Sequence, residues 1–192
     1  MNLEILETER LILRKISPED FVYLFKNYSE IEIKNILGYE NHDDFLKEKG
    51  KFEKGYTTHN RSFQYFQIID KNSLKIIGGC GFHNWYLDHR RAELGYVITN
   101  ENFKRVGIMS ETLKIIIDYG FKIMKLNRIE ALVSPENIAS LKLMKKFNFC
   151  KEGILKSHYF TNNNFEDSII FSKLITDYEE LHKHYTWDII KL

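Results

Sequence analysis

Apolar and polar positions along this chain switch between a period of two and a period near 3.6, and the switches mark out its elements. Arg10–Ile16 alternates as a strand. Ser17-Pro18-Glu19-Asp20 then supplies an N-cap, a first-turn proline and two first-turn acids, so a helix follows through about Tyr28. Residues 29–60 are polar and lysine-rich, with Phe45, Leu46 and Phe52 at helical intervals, and read as one or two helices. Ser62–Ile69 is a strand, Asp70–Ser73 reverses it, and Leu74–Phe82 is its hairpin partner. Asp88–Arg91 leads into the next strand, Ala92–Ile98.

Met109–Lys122 carries Leu113, Ile116, Ile117, Tyr119 and Phe121, more apolar residues than one face needs, which predicts a helix covered on two sides. Asn127–Val133 is a strand, and Ser134-Pro135-Glu136-Asn137 repeats the cap, proline and acid grammar of a helix start, with the helix ending near Phe147. Phe149–Lys156 and Phe165–Lys173 close the series as two strands joined through Thr161–Asn164, and a terminal helix spans 177–186. Interleaved strands and helices after an antiparallel hairpin predict an α/β fold with a mixed sheet. No linker or repeat divides residues 1–192, so a single domain is expected.

Composition narrows the function classes. Lys and Arg total 28 against 27 Asp and Glu, so the overall field argues for neither nucleic acid nor an anionic membrane as partner. The start of the chain mixes Glu4, Glu7, Glu9 and Arg10 into its apolar residues, and neither a signal segment nor a membrane span is expected. Cys80 and Cys150 stand in no metal or redox spacing, which fits a reduced, cytoplasmic setting. The histidines are scattered without paired spacing, so no metal site is expected. Gly78-Gly79-Cys80-Gly81 lies in an apolar strand and reads as a place of close backbone approach.

One segment carries chemistry more plainly than the rest. Lys104-Arg105-Val106-Gly107-Ile108-Met109 places a basic pair and a glycine between a strand and a helix start, where free N–H groups and the positive end of a helix dipole suit a bound anion. With its neighbours the segment resembles the GNAT superfamily of acyl-CoA-dependent N-acyltransferases. The resemblance is closest to the branch that acetylates the N-termini of ribosomal proteins. It rests on Thr8–Arg14, Ala92–Ile98, the turn ending in Gly107-Ile108-Met109-Ser110-Glu111, and Asn137-Ile138-Ala139-Ser140. It implies a splayed central sheet of about seven strands flanked by helices.

The same resemblance implies acetyl-CoA as co-substrate and no metal. Its pyrophosphate would lie on the N–H groups of Lys104, Arg105, Val106, Gly107, Ile108 and Met109, and its pantetheine arm along Tyr96, Val97 and Ile98. Asn137 and Ser140 would face the cofactor, with Ser140 placed to protonate the departing thiolate, while Lys142, Lys145 and Lys146 could reach the 3′-phosphate of coenzyme A. A tyrosine that many members use for that step is Met144 here. The turn also departs from the pattern at Lys104, Arg105 and Val106. Glu93 is the first candidate for the general base, a structural ion pair with Arg90 or Arg91 being its alternative role. Close relatives carry a glutamate within the segment matching Lys156–Phe160; here His158 or Tyr159 stands in for it. His83 and His89 read as structural. The implied partner is an amine acceptor, a protein N-terminus or a small amine, and a homodimer is compatible with the chain. Residues 29–60 would form the acceptor lid, and its acids Glu30, Glu32, Glu40, Asp43 and Asp44 keep a polyamine in view.

Overall fold

A computed structural model describes residues 3–161 and 163–182. The described strands are β1 (Ile5–Glu7), β2 (Leu11–Ile16), β3 (Arg61–Asp70), β4 (Ile76–Tyr86), β5 (Arg91–Ile98), β6 (Arg128–Val133), β7 (Cys150–Thr161) and β8 (Asn164–Leu174). The helices are α1 (Pro18–Asn27), α2 (Glu30–Leu37), α3 (His42–Lys54), α4 (Ile108–Lys122), α5 (Ile138–Lys146) and α6 (Ile175–His182). The strands form one eight-stranded sheet in the order β1-β2-β3-β4-β5-β6-β8-β7. Every described pairing is antiparallel except β5 with β6.

Several boundaries differ from the sequence expectation, among them β4, which runs Ile76–Tyr86 rather than Leu74–Phe82 and so takes in His83. β1 is an additional strand, and its three residues are too few to register as an alternation. β7 and β8 run on to Thr161 and Asn164, so the whole Lys156–Phe160 segment is strand. The cap of α5 is Asn137, whose side chain accepts from the Ser140 N–H at 3.0 Å; Ser134 only opens the preceding turn. Of the expected terminal helix, residues beyond 182 lie outside those described.

The sheet has two differently used faces. Leu11, Leu13, Phe66, Ile68, Ala92 and Leu94 point to α4, where Leu113, Ile116 and Ile117 complete the main core. Ile16, Phe63 and Tyr65 point the other way, under α1, α2 and α3, where Phe21, Leu24, Ile33, Leu37 and Phe45 build a second cluster. Segment 29–60 is thus two helices with a core of their own.

At the far edge Arg128 of β6 reaches Glu152 of β7, and Ser172 of the intervening β8 donates to the same carboxylate at 2.6 Å. The hydrogen bonds from Arg128 and Ser172, outweighing burial, hold the Glu152 carboxyl down at about 2. The unfolded chain therefore binds this proton more readily than the folded one, and the pair's contribution is present above the ordinary carboxylate range and lost as pH falls toward 2. The urea midpoint of Glu152→Gln should accordingly fall less steeply between pH 4.5 and 2.5 than that of the unaltered chain.

Candidate active site

β5 and β6 pair only at Arg91–Glu93 against Arg128–Glu130, and beyond Glu93 the two strands part. The Thr99 N–H donates to the Ile77 carbonyl on the β4 side. Alternation along β5 then turns the Tyr96 and Ile98 N–H groups to the opposite, open edge. That edge is a row of donors ready for an extended ligand. Val97 is 54% exposed there, while Tyr96 and Ile98 pack partly on the main core.

The anion turn lies next along the chain. Arg105 sits at φ +62° and Gly107 at φ +87°, a pair of left-handed residues that swings the chain into α4. Among the described residues no side chain caps α4, so its first-turn N–H groups are left to a ligand. The one acid of that turn, Glu111, is drawn away. Its Oε2 accepts from Arg10 Nε at 2.7 Å and its Oε1 from the Arg10 N–H at 3.0 Å and from the Thr8 hydroxyl. Burial would raise the Glu111 carboxyl, but these bonds and the Arg10 charge bring it below its ordinary value. Arg10 Nη1 also donates to the Val106 carbonyl at 3.1 Å. The Thr-Glu-Arg opening is therefore the brace of the turn, about a hundred residues away in sequence. Lys104 spends its charge on Glu101, which leaves anion binding to the backbone.

The general-base candidate stands at the fork. Glu93 Oε1 lies 3.1 Å from His83 Nε2, its neighbour across the β4–β5 ladder, and Oε2 accepts from Asn84 at 3.0 Å. Its expected pairing with Arg90 or Arg91 is not formed, because Arg91 is taken by Glu130 at 2.8 Å and Arg90 Nε by the Lys125 carbonyl. Burial alone would raise the Glu93 carboxyl; the hydrogen bonds from His83 and Asn84, with the nearby His83 and His158, outweigh it and keep the group ionised. Burial and the Glu93 charge in turn raise the Tyr159 phenol. Glu93, His158 and Tyr159 thus share one electrostatic neighbourhood, with His158 Nδ1 3.1 Å from the Ser168 hydroxyl. Asp167 fixes the bend of β7 by accepting from Lys156 at 2.8 Å and from the Ser157 N–H at 2.9 Å.

His83 is the residue that sequence reasoning set aside. On the lid face the β4–β5 ladder is bare, with Gly81 opposite Gly95, and Gly79 lies beside them. A Cβ on Gly95 would come within 2.8 Å of the His83 ring, and one on Gly79 within 2.2 Å of the Tyr65 hydroxyl. These glycines floor a cavity of about 700 Å³, walled by His83, Tyr96 and Val97 at one end and by Phe21, Tyr39, Glu48 and Tyr56 of the lid at the other. Glu48 was also missed. Its signal was present, since Phe45, Glu48 and Phe52 share one stripe of α3.

On the α4 side the Tyr96 hydroxyl is buried without a hydrogen-bond partner among the described residues. Burial raises this phenol, the nearby Ser140 hydroxyl working against the rise. Met144 is fully buried in the main core. Lys146 ends α5, about 9 Å along the helix axis from Ser140 at 1.5 Å per residue, in a small cleft with Lys114 and Lys173. Among the described residues no group of His, Cys, Asp and Glu could hold a metal ion, and no helix is long and apolar enough to cross a membrane.

Comparison with known proteins agrees with this geometry. An acetyltransferase (GNAT) domain model matches residues 10–149. The uncharacterized N-acetyltransferase p20 of Bacillus licheniformis is 34% identical over 177 residues, covering 92% of this chain and 99% of its own. Spermidine N(1)-acetyltransferase of Escherichia coli is 31% identical over 81 residues, 42% of this chain and 43% of that one. Among solved structures, the ribosomal-protein-S5-alanine acetyltransferase of Vibrio fischeri superposes with a TM-score of 0.64 at 26% identity, covering 91% of this chain and 98% of that one.

Proposed function

Since the chain belongs to the GNAT acetyltransferase family and is an acetyl-CoA-dependent N-acetyltransferase, we propose that it acetylates a primary amine by direct attack within a ternary complex. One observation carries this reading. An unpaired strand edge, a carboxylate-held imidazole and the end of a cavity meet at the β5–β6 fork. Acetyl-CoA supplies a thioester whose carbonyl carbon is the electrophile. The α4 start and the turn before it suit the pyrophosphate, and the open edge of β5 suits the pantetheine amides. The Tyr96 and Ile98 N–H groups are placed to hold the carbonyl oxygen as negative charge develops on it.

An ammonium cannot attack, so the acceptor must lose a proton first. His83, tied to Glu93 through Nε2, overhangs Gly95 and takes that proton on Nδ1. The amine lone pair then forms the C–N bond as the C–S bond breaks, the electron pair leaves on sulfur, and the nitrogen, cationic once that bond has formed, gives its second proton to solvent to leave the neutral amide. On the α4 side Ser140, with the Tyr96 hydroxyl beside it, returns a proton to the thiolate. Met144 plays no part, being sealed in the core. His158 and Tyr159 act behind Glu93, through its charge.

Two acceptor classes remain, each with an observation in its favour. Similarity over 91% of the chain to the S5-alanine enzyme favours a protein N-terminal α-amine. The cavity's size and its aromatic lid favour a small amine. Coenzyme A release should be followed with a panel holding an alanine-initiated peptide, a monoamine, a diamine and a tertiary amine, with acetyl-CoA binding measured by calorimetry in parallel. The expected result is turnover of at least one primary amine and none of the tertiary one. Binding of acetyl-CoA without release across the panel would reduce the protein to an acyl-CoA-binding module.

A further inference from the structure

Glu48 is a carboxylate in a place where carboxylates are costly to keep. The residue is 7% exposed, on the α3 stripe that otherwise carries Phe45 and Phe52 toward the interior. It lines the lid end of the cavity, opposite the fork. Its Oε2 accepts from the Tyr39 hydroxyl at 3.2 Å and from Lys51 Nζ at 2.9 Å. Tyr56 also makes a side-chain hydrogen bond to the carboxylate, while the bonds from Tyr39 and Lys51 both fall on Oε2, so among the described residues no cation is bonded to Oε1. Tyr56 donates to the Glu48 backbone carbonyl at 3.4 Å, and Tyr65 stands over the cavity floor. Burial first, and the Glu48 charge after it, raise the Tyr39 and Tyr56 phenols, and burial, then Cys80, then Glu48 push Tyr65 up to about 12. These hydroxyls are therefore protonated at any working pH and add no charge of their own beside the carboxylate.

A buried carboxylate with one oxygen bonded to no cation, ringed by aromatic faces, is a receptor for a cation. The ammonium that reacts cannot be that cation, because it is discharged at His83 at the other end of the cavity. Lys51 neutralises Glu48 in the free protein, yet its side chain is 65% exposed and leaves the inner oxygen untouched. Lys51 is thus a movable counter-ion at the mouth, while Oε1 remains for a ligand that fills the cavity. The geometry points to an acceptor carrying a second positive charge, a compact diamine or polyamine, whose distal ammonium is held by Glu48 between Tyr39 and Tyr56 while its other amine reaches the fork. This inference rests on the acetyltransferase reading above and names its substrate class.

The test compares 1,4-diaminobutane with n-butylamine, equal in chain length but for the second charge. For the unaltered enzyme kcat/KM should favour the diamine. Glu48→Gln keeps the shape and the Tyr39 hydrogen bond, and the diamine-to-monoamine ratio of kcat/KM should fall at least tenfold, mainly through KM of the diamine. Thermal melting and acetyl-CoA affinity, measured alongside, establish that the variant is folded. A folded variant with an unchanged ratio overturns the assignment. Turnover of the peptide alone also overturns it, while leaving the acetyltransferase reading intact. Acetyl-CoA binding with no amine turned over removes that reading itself, and the assignment with it.

Discussion

Glu93→Gln should lower kcat/KM about a hundredfold at pH 7 and by only a few-fold at pH 9, with acetyl-CoA affinity unchanged. A positioned base contributes about 10²–10⁴ to a proton-dependent step. Here the acid that holds the imidazole lies 3.1 Å from it, and the proposed mechanism has the acceptor lose its proton to this pair. At pH 7 the amine is mostly protonated and depends on that pair; at pH 9 its free fraction is larger and the dependence correspondingly weaker. Glutamine keeps the size and the Asn84 contact but cannot stabilise the imidazolium that forms. His83→Ala should cost a similar factor, and the double variant little more than either single one, because the two residues act as a unit. Equal losses at pH 7 and pH 9 would exclude a proton-accepting role for the pair.

Gly107→Val should raise the dissociation constant for acetyl-CoA by a hundredfold or more. Space is not the reason, because the nearest atom to a Cβ there is Arg10 Nη2 at 3.5 Å. The backbone is the reason. Gly107 sits at φ +87°, where a β-branched residue is strained by about 1–3 kcal/mol, and relief of that strain rotates the turn that presents the α4 N–H groups. Hydrogen bonds to a charged ligand are worth about 1.5–3 kcal/mol each, so misaligning two of them accounts for the effect. Gly107→Ala should fall between valine and wild type, and melting temperatures should drop by about 2–4 °C for each kcal/mol of strain retained. Calorimetric titration with acetyl-CoA provides the check, and wild-type affinity in the valine variant would remove the turn from the cofactor site.

What could be read in the sequence was whatever depends on neighbours along the chain. Ser17-Pro18-Glu19-Asp20 announces α1, and Ser17 and Asp20 do form a reciprocal capping box. Asn137 caps α5, and the glycine turn does open α4 uncapped. What could not be read depends on partners far apart in sequence. Nothing near Glu111 names Arg10 as its partner, and nothing near His83 says that two strands bring it to Glu93. Glu93 was named as a base candidate, and its alternative role in an ion pair with Arg90 or Arg91 is not formed because the Arg91 side chain reaches Glu130 on the neighbouring strand. Glu48 was hidden differently. Attention to acids on the lid surface passed over the one acid on its buried stripe.

The two hydrophobic clusters lie on opposite faces of one sheet, and this separation bears on how such an enzyme changes over time. The face under α4 carries what every donor of the same kind requires, and its core is shared with most of the sheet. The α1–α3 cluster is closed on itself, resting on Ile16, Phe63 and Tyr65. Under the proposed function, substitutions within it would reshape the cavity beneath the three helices without passing strain to the turn before α4 or to the open edge of β5. A lineage can therefore exchange one amine for another by rebuilding three helices while the donor machinery is inherited unchanged.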